Sequence, residues 1–340
     1  MIIRSMAPLR IGLAGGGTDV SPYSDQYGGA ILNATINKFA YASILPKDDG
    51  KIIFRAVDRK EIVSVAACKE LELDGKLDLL KGIYNRIIKQ YHPSPLSFEL
   101  ITCVDAPPGS GLGSSSTLVT AVIGAFVEWL QLPLGEYDIA RLAYQIERID
   151  LNYAGGKQDQ YAATFGGINF MEFYAEDKVI VNPLRIKNEV LKELAFSLVL
   201  YYTGTSRLSS TIIAKQQNNI SRNSPKPMEA MHRTKKMTIL MKEALLKNEL
   251  NTMGEILKTG WEFKKQMAAG ISNPAIDEIY QAALLSGASG GKISGAGGGG
   301  FMFFYCPGNT RYEVIETLHK FGGSIHPFQF TEKGLTSWTI

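Results

Sequence analysis

A run of glycine and serine, Pro107-Pro108-Gly109-Ser110-Gly111-Leu112-Gly113-Ser114-Ser115-Ser116, opens straight into an apolar stretch from Leu118 to Leu130, and no other junction in the chain constrains its fold so tightly. Glycines at alternate positions let the backbone turn through positive φ and lie against a neighbour without a Cβ in the way. The apolar stretch has the length of a buried helix rather than a strand, and the hydroxyls of Ser114 to Ser116 fall where its N-cap is expected. Free N–H groups and the positive end of a helix dipole then face whatever the loop encloses, which suits phosphate. A well-capped core helix is the plainer reading of the same residues.

Two further segments are as rich in glycine: Leu13-Ala14-Gly15-Gly16-Gly17-Thr18-Asp19 and Lys292-Ile293-Ser294-Gly295-Ala296-Gly297-Gly298-Gly299-Gly300. One such loop is usually a turn, but three in one chain favour binding. No glycine precedes Gly-Lys-Ser or Gly-Lys-Thr at the spacing of a P-loop. Gly295, Gly297 and Gly300 do fit G-x-G-x-x-G, yet they follow a helical stretch and enter a strand, the reverse of the dinucleotide-binding order.

At 340 residues the chain exceeds one ordinary core and suits two lobes sharing a cleft. Its 36 Lys and Arg against 33 Asp and Glu leave +3, too little and too dispersed for a nucleic-acid surface. Cys68, Cys103 and Cys306 are odd in number and widely spaced, which supports neither disulfides nor a zinc site and fits a reducing cytoplasm. The N-terminus lacks the basic start and apolar stretch of a signal peptide, and no apolar run is long enough for a membrane span. A cytoplasmic protein without membrane or nucleic-acid partners is expected.

Alternating β-branched and aromatic runs predict strands at residues 29–45, 51–57, 61–66 and 96–104, and helical periodicity predicts helices at 77–91, 115–130 and 135–153. The mixed order gives an α+β class rather than a βαβ repeat. The pattern changes near 178–194, ahead of a strand at 195–202, and the boundary is placed there, giving domains 1–185 and 186–340. The second domain reads as helical from 206 to about 285, broken by a loop at Asn223-Ser224-Pro225-Lys226-Pro227. A glycine-rich turn at 287–300, a strand at 301–305, a helix at 311–321 and a last strand near 324–330 complete the chain.

The stretch from Pro8 to Asp19, the loop from Pro107 to Ser116 and the late loop from Lys292 to Gly299 resemble, in order and spacing, the three motifs of the GHMP kinase family. The resemblance covers nearly the whole chain. It implies an N-terminal ATP-binding lobe like domain 2 of ribosomal protein S5, a ferredoxin-like C-terminal lobe and an active site in the cleft between them. ATP and Mg²⁺ are the implied cofactors. Arg10-Ile11-x-Leu13-Ala14-Gly15-Gly16-Gly17-Thr18-Asp19, with Gly155-Gly156-Lys157-Gln158-Asp159-Gln160-Tyr161, looks like the sugar kinases. It looks most like the branch that phosphorylates the anomeric hydroxyl of a heptose 7-phosphate for bacterial surface polysaccharide. A fucose- or galactose-type 1-kinase is the rival within the family, and a non-catalytic sugar and ATP sensor the rival outside it. A homodimer is among the expected assemblies.

The resemblance assigns roles residue by residue. Asp159 matches the catalytic aspartate and Arg10 the basic residue beside it, the plainer reading of Arg10 being a surface salt bridge. Pro108, Gly109, Ser110, Gly111, Leu112, Gly113, Ser114, Ser115 and Ser116 are expected to hold the nucleotide phosphates. Glu147 lies about 80° round its helix from Ile139, at the edge of the apolar stripe. With Ser115 it is expected to bind Mg²⁺, which takes hard oxygen ligands; pairing with Arg148 or Lys157 explains its position as well. Gly17, Thr18, Asp19, Gly156, Arg207, Gly297 and Gly298 are expected to meet the sugar, and Arg207, Lys157 and Lys38 are candidate partners for its phosphate. Ser116-Thr117 stands where many relatives carry alanine after two serines, which leaves open which hydroxyl meets the metal.

Overall fold

A computed structural model describes residues 1–205 and 209–340, which form two sheets clothed by helices. The larger sheet takes β1 (Ile3–Ala14), β2 (Gly29–Pro46), β3 (Lys51–Ala56), β4 (Glu61–Ala66), β5 (Phe98–Val104), β6 (Ile168–Phe173) and β7 (Val179–Pro183). The smaller takes β8 (Leu198–Tyr202), β9 (Gly290–Ile293), β10 (Phe301–Tyr305) and β11 (Ser324–Ile325). A last strand, β12 (Thr336–Thr339), returns to the larger sheet and pairs antiparallel with β1. The larger sheet therefore runs β12-β1-β2-β5-β3-β4, with β3 and β5 parallel and with β6 and β7 added along the first half of β2. The smaller runs β11-β8-β10-β9, all antiparallel, which is the ferredoxin-like order.

Between the strands lie α1 (Tyr23–Tyr27), α2 (Asp78–Tyr91), α3 (Ser114–Leu130), α4 (Glu136–Gln145), α5 (Gln158–Phe165), α6 (Asn188–Ser197), α7 (Ser209–Ser221), α8 (Pro225–Leu246), α9 (Leu250–Met267), α10 (Pro274–Leu285) and α11 (Arg311–His319). Helix α3 is apolar almost all round because it is packed almost all round, by β1 and β2 beneath it and by α2, α4 and α5 beside it. A second core joins the lobes: Leu9, Ile11 and Leu13 of β1 pack with Met241 and Leu245 of α8, Met253 and Leu257 of α9, and Phe301 and Phe303 of β10. Ile3 and Ala7 belong instead to the core under α2 and α3. A register shift against β2 between Pro8 and Arg10 turns the strand between these sets, and Arg10 emerges on the α5 side.

Several elements depart from the sequence reading, each for a local reason. The loop expected over 223–227 is confined to its first two residues, Asn223 and Ser224: Pro225 and Pro227 sit in the first turn of α8, where no intrahelical N–H is required. The helix expected over 135–153 is α-helical to Gln145 and then widens into a π turn, Ile146–Asp150. Residues 195–197 close α6, so the strand begins at Leu198. The glycine-rich turn contains buried β9, and the strand expected near 324–330 shrinks to Ser324–Ile325 with one bridge from Phe330 to Ile36. Short β6, β7 and β12 carry no pattern long enough to announce them.

Phe98 of β5 centres the first core, its ring 5.5 Å from Phe126, 5.6 Å from Trp129, 5.8 Å from Tyr84 and 6.0 Å from Phe54. Phe98→Ala removes a fully buried ring and should cost about 3–5 kcal/mol. The check is the urea unfolding midpoint, and a variant that unfolds like the wild type would show that this cluster does not anchor the lobe.

Candidate active site

Arg10 is 3% exposed, and its guanidinium holds four separate parts of the chain together. Nε and Nη2 both reach Oδ1 of Asp159, at 2.7 and 2.6 Å. Nη1 donates to the carbonyl oxygen of Gly111 at 2.6 Å and to Oγ of Ser294 at 3.3 Å. Arg10, just ahead of the first glycine segment, thus binds both of the others. The loops press together so closely that a Cβ on Gly111, whose φ is +86°, would overlap the carbonyl oxygen of Ser294. Gly113, with φ +80°, lies close against Asp159, whose Cγ would be 3.2 Å from a Cβ placed there.

Asp159 sits in the first turn of α5, where the helix dipole favours a carboxylate. Its side chain keeps 22% exposure to the cleft, so it is held on one oxygen and open on the rest. Asp19 is almost completely buried and accepts hydrogen bonds from the N–H of Gln158 at 3.1 Å, the amide of Gln158 at 3.4 Å and the N–H of Gly17 at 3.3 Å. Burial pushes its carboxyl up despite the N–H of Gln158, and the nearby Asp159 adds to the rise. Burial, then Arg10, pushes the ammonium of Lys264 down to about 8, while Asp19 and Asp159 oppose the change.

The serines do not cap α3 as expected. Gly113 takes the cap position in a left-handed conformation with no side-chain cap bond, and the hydroxyls turn to other partners. Ser115 Oγ donates to Oε1 of Glu147 at 3.0 Å; Ser116 Oγ accepts from Nε2 of Gln160 at 3.0 Å. Without a hydroxyl cap, the N–H groups of Ser114, Ser115 and Ser116 have no partner in the helix and face the loop. Glu147 lies in the π turn, 1% exposed, and its Oε2 accepts from Gln160 at 2.5 Å. Glu147 stands at the start of this turn, next to buried Ile146, and is held facing Ser115 and Gln160.

These residues line one cleft of about 1030 Å³. Of the expected residues, Arg10, Gly17, Asp19, Gly109, Gly111, Gly113, Ser114, Ser115, Ser116, Glu147, Gly156 and Asp159 are on its wall. Thr18 is turned inward, its hydroxyl donating to the carbonyls of Gly15 and Ala30. Leu112 is core and Ser110 fully buried. Pro108 is exposed but not on the wall, and Gly297 and Gly298 pack against Ile271, to whose carbonyl Gly298 donates. Arg207 lies outside the described residues. Lys157 is spent elsewhere: it is buried over the ring of Tyr144 and pairs with Asp177 at 2.9 Å.

The wall also holds Arg148, Gln158, Gln216 and Lys264, which the sequence reading did not select as site residues. Gln158 and Gln160 flank Asp159, so the alternation of amides around an acid was their available signal. Lys264 had none, since it reads as one of many lysines on an amphipathic helix. The assembled chemistry is that of phosphoryl transfer: a carboxylate oriented by a cation, two hard oxygen donors, a helix N-terminus and buried positive charge.

The chain matches the GHMP kinases N terminal domain over residues 78–167 and the GHMP kinases C terminal domain over residues 241–324. It is 50% identical over 338 residues to the D-glycero-alpha-D-manno-heptose 7-phosphate kinase of Campylobacter jejuni, with 99% of each chain covered. A crystal structure described as a D-glycero-D-manno-heptose 1-phosphate kinase from Bacteroides thetaiotaomicron matches with a TM-score of 0.86 at 47% identity, covering 99% of both chains. The L-fucokinase/L-fucose-1-P guanylyltransferase of Bacteroides fragilis is 26% identical over 326 residues, which are 89% of this chain and 34% of that protein. With a family-model match in each half of the fold and 50% identity over 99% of the chain to one such kinase, the chain belongs to the GHMP kinase family.

Proposed function

We propose that this chain transfers the γ-phosphoryl group of ATP to the anomeric hydroxyl of a heptose phosphate, D-glycero-D-manno-heptose 7-phosphate, giving the 1,7-bisphosphate for nucleotide-activated heptose and surface-polysaccharide synthesis. The observation that carries the chemistry is Asp159, gripped on one oxygen by Arg10 and open to the cleft beside the N-terminus of α3. The acceptor rests on the names of the relatives at 50% and 47% identity, both of them heptose phosphate kinases. Residues 1–185 are assigned to the ATP-binding lobe and 186–340 to the second lobe, β12 excepted because it pairs with β1.

In this reading Asp159 accepts the proton of the acceptor hydroxyl as the oxygen attacks phosphorus. Arg10 keeps the carboxylate oriented until then. The N–H groups at the start of α3, with the helix dipole behind them, hold the phosphate oxygens. Asp19 accepts hydrogen bonds from sugar hydroxyls with what remains of its lone-pair capacity. Ser115 and Glu147 fit Mg²⁺: a hydroxyl and a carboxylate 3.0 Å apart on the cleft wall, both hard donors. Ser115 and Glu147 would hold such an ion on the cleft wall, and when bound it would supply charge neutralisation to the transferring group.

Turnover of heptose 7-phosphate, heptose 1-phosphate, free heptose, fucose and galactose tests the acceptor; the 7-phosphate should be used best, and equal turnover of a free sugar would overturn the assignment. Asp159→Asn keeps the shape of the Arg10 contact and removes the base, so kcat should fall about 10²–10⁴-fold while ATP still raises the melting temperature. Glu147→Gln preserves volume and should raise the Mg²⁺ concentration for half-maximal rate about 10–100-fold; an unchanged Mg²⁺ titration would remove Glu147 from the metal site.

A further inference from the structure

Lys264 is 3% exposed, yet its ammonium has no carboxylate within 4 Å among the described residues; it donates to the carbonyl oxygen of Gly295 at 2.5 Å. Other buried lysines are neutralised: Lys81 pairs with Asp74 and Lys157 with Asp177. Lys292 also rests on a carbonyl, that of Gly12 at 3.0 Å, but it stands behind the cleft near the ring of Phe303, whereas Lys264 is on the cleft wall. A buried charge without a counter-ion is unfavourable unless something else offsets it.

The groups around Lys264 do not provide that offset. Arg10 of β1 and Lys292 of β9 face it as cations, and Asp19 of the first glycine loop and Asp159 of α5 face it as anions. Asp159 is already bound by Arg10. Asp19 takes its hydrogen bonds from the N–H groups of Gly17 and Gln158, so neither carboxylate is bound to Lys264, and its ammonium stays unpaired on the wall beside the base. The ammonium also lies against the backbone of Gly16, Nζ being 3.1 Å from where a Cβ would stand, so it is held next to the loop that carries Asp19. An anion that arrives between Asp159 and Asp19 completes the charge balance.

We propose that Lys264 is a further catalytic residue, donating a hydrogen bond to the acceptor oxygen that receives the phosphoryl group. The inference rests on the phosphotransfer reading above. The acceptor O–H bond breaks with its proton passing to Asp159, the new O–P bond forms, and the bond from phosphorus to the leaving oxygen of ADP breaks. Lys264 keeps its three protons throughout and offsets the negative charge that gathers on the attacking oxygen. It must be cationic to do so. Its activity is therefore present below its pKa and lost as pH rises past about 8.

The test compares wild type, Lys264→Met and Lys264→Arg with heptose 7-phosphate and free heptose from neutral to alkaline pH. K264M should lower kcat about 10²-fold on both sugars, with the KM for ATP and the ATP-induced rise in melting temperature unchanged. Wild-type kcat/KM should decline above about pH 8; in K264R the decline should move to higher pH, and in K264M it should vanish. An identical alkaline decline in all three proteins overturns the proposal. So does a K264M defect confined to the KM of the phosphorylated sugar, which would assign Lys264 to the acceptor's own phosphate. An active wild type with an unimpaired K264M overturns this inference alone, whereas a wild type inactive on every sugar overturns the phosphotransfer reading and this inference with it.

Discussion

The ion pair between Arg10 and Asp159 is the contact on which the rest of the site depends. Burying an arginine and an aspartate together gains little stability, because desolvation takes back most of what attraction gives. What the pair secures is position. A guanidinium presents its donors in a fixed plane, which a lysine cannot do, and here that plane points at Asp159, Gly111 and Ser294 at once. The glycine loops answer this demand: backbone has to reach the fork from two sides, and Gly111 meets Ser294 across a gap that admits no Cβ. Gly111 and Gly295 are thus required by crowding around one cation, while Gly15, Gly297 and Gly300 answer other close approaches, to Ala30, Ile271 and Ser110.

The same arrangement makes the site a joint product of both lobes. Arg10, Asp19, Asp159 and the start of α3 come from elements of the larger sheet, while Lys264 and Ser294 arrive on α9 and on the loop after β9. They stay in register because β1 is buried on both faces, by α3 on one and by α8 and α9 on the other. A continuous core across the lobes leaves little freedom for a hinge through β1. Charge is shared in the same way: the first lobe contributes Asp19 and Asp159, and the second adds the ammonium of Lys264, which pairs with neither and is left on the wall for an incoming anion.

Much of this was legible in the sequence because glycine loops and apolar helices leave local signatures. The strands β2 to β5, the helices α2 and α3 and the loops flanking Arg10 and Asp159 show in alternation, periodicity and turn residues. The features that were not legible depend on tertiary contact. A π turn has the composition of an α-helix, so residues 146–150 gave no sign of it, and the burial of Glu147 depends on Ser115 and Gln160 packed against it. Prolines at 225 and 227 read as a break because their acceptable place, the first turn of a helix, depends on where the helix starts. Lys264 and Lys292 look like surface residues until α9 and β9 are packed against the first lobe. β12 is a polar tetrapeptide whose pairing with β1 spans almost the whole chain.

The three serines at the start of α3 carry the point further. In sequence they are equivalent, and a capping hydroxyl is the natural expectation for each. On a helix they are not, because successive side chains are turned by about 100°. Ser116 is directed into the protein, 3% exposed, and accepts from Gln160, whose amide also binds Glu147. Ser115 is directed to the cleft wall and donates to the other oxygen of Glu147. Gln160 therefore ties the inward serine and the acid together, and Ser115 is the hydroxyl left where a cation and a phosphate could both reach it. Under the proposed function, Ser115 is the hydroxyl that would meet the metal. The next residue, Thr117, donates to the carbonyl of Gly113 at 2.9 Å and steadies the left-handed residue from which the helix begins.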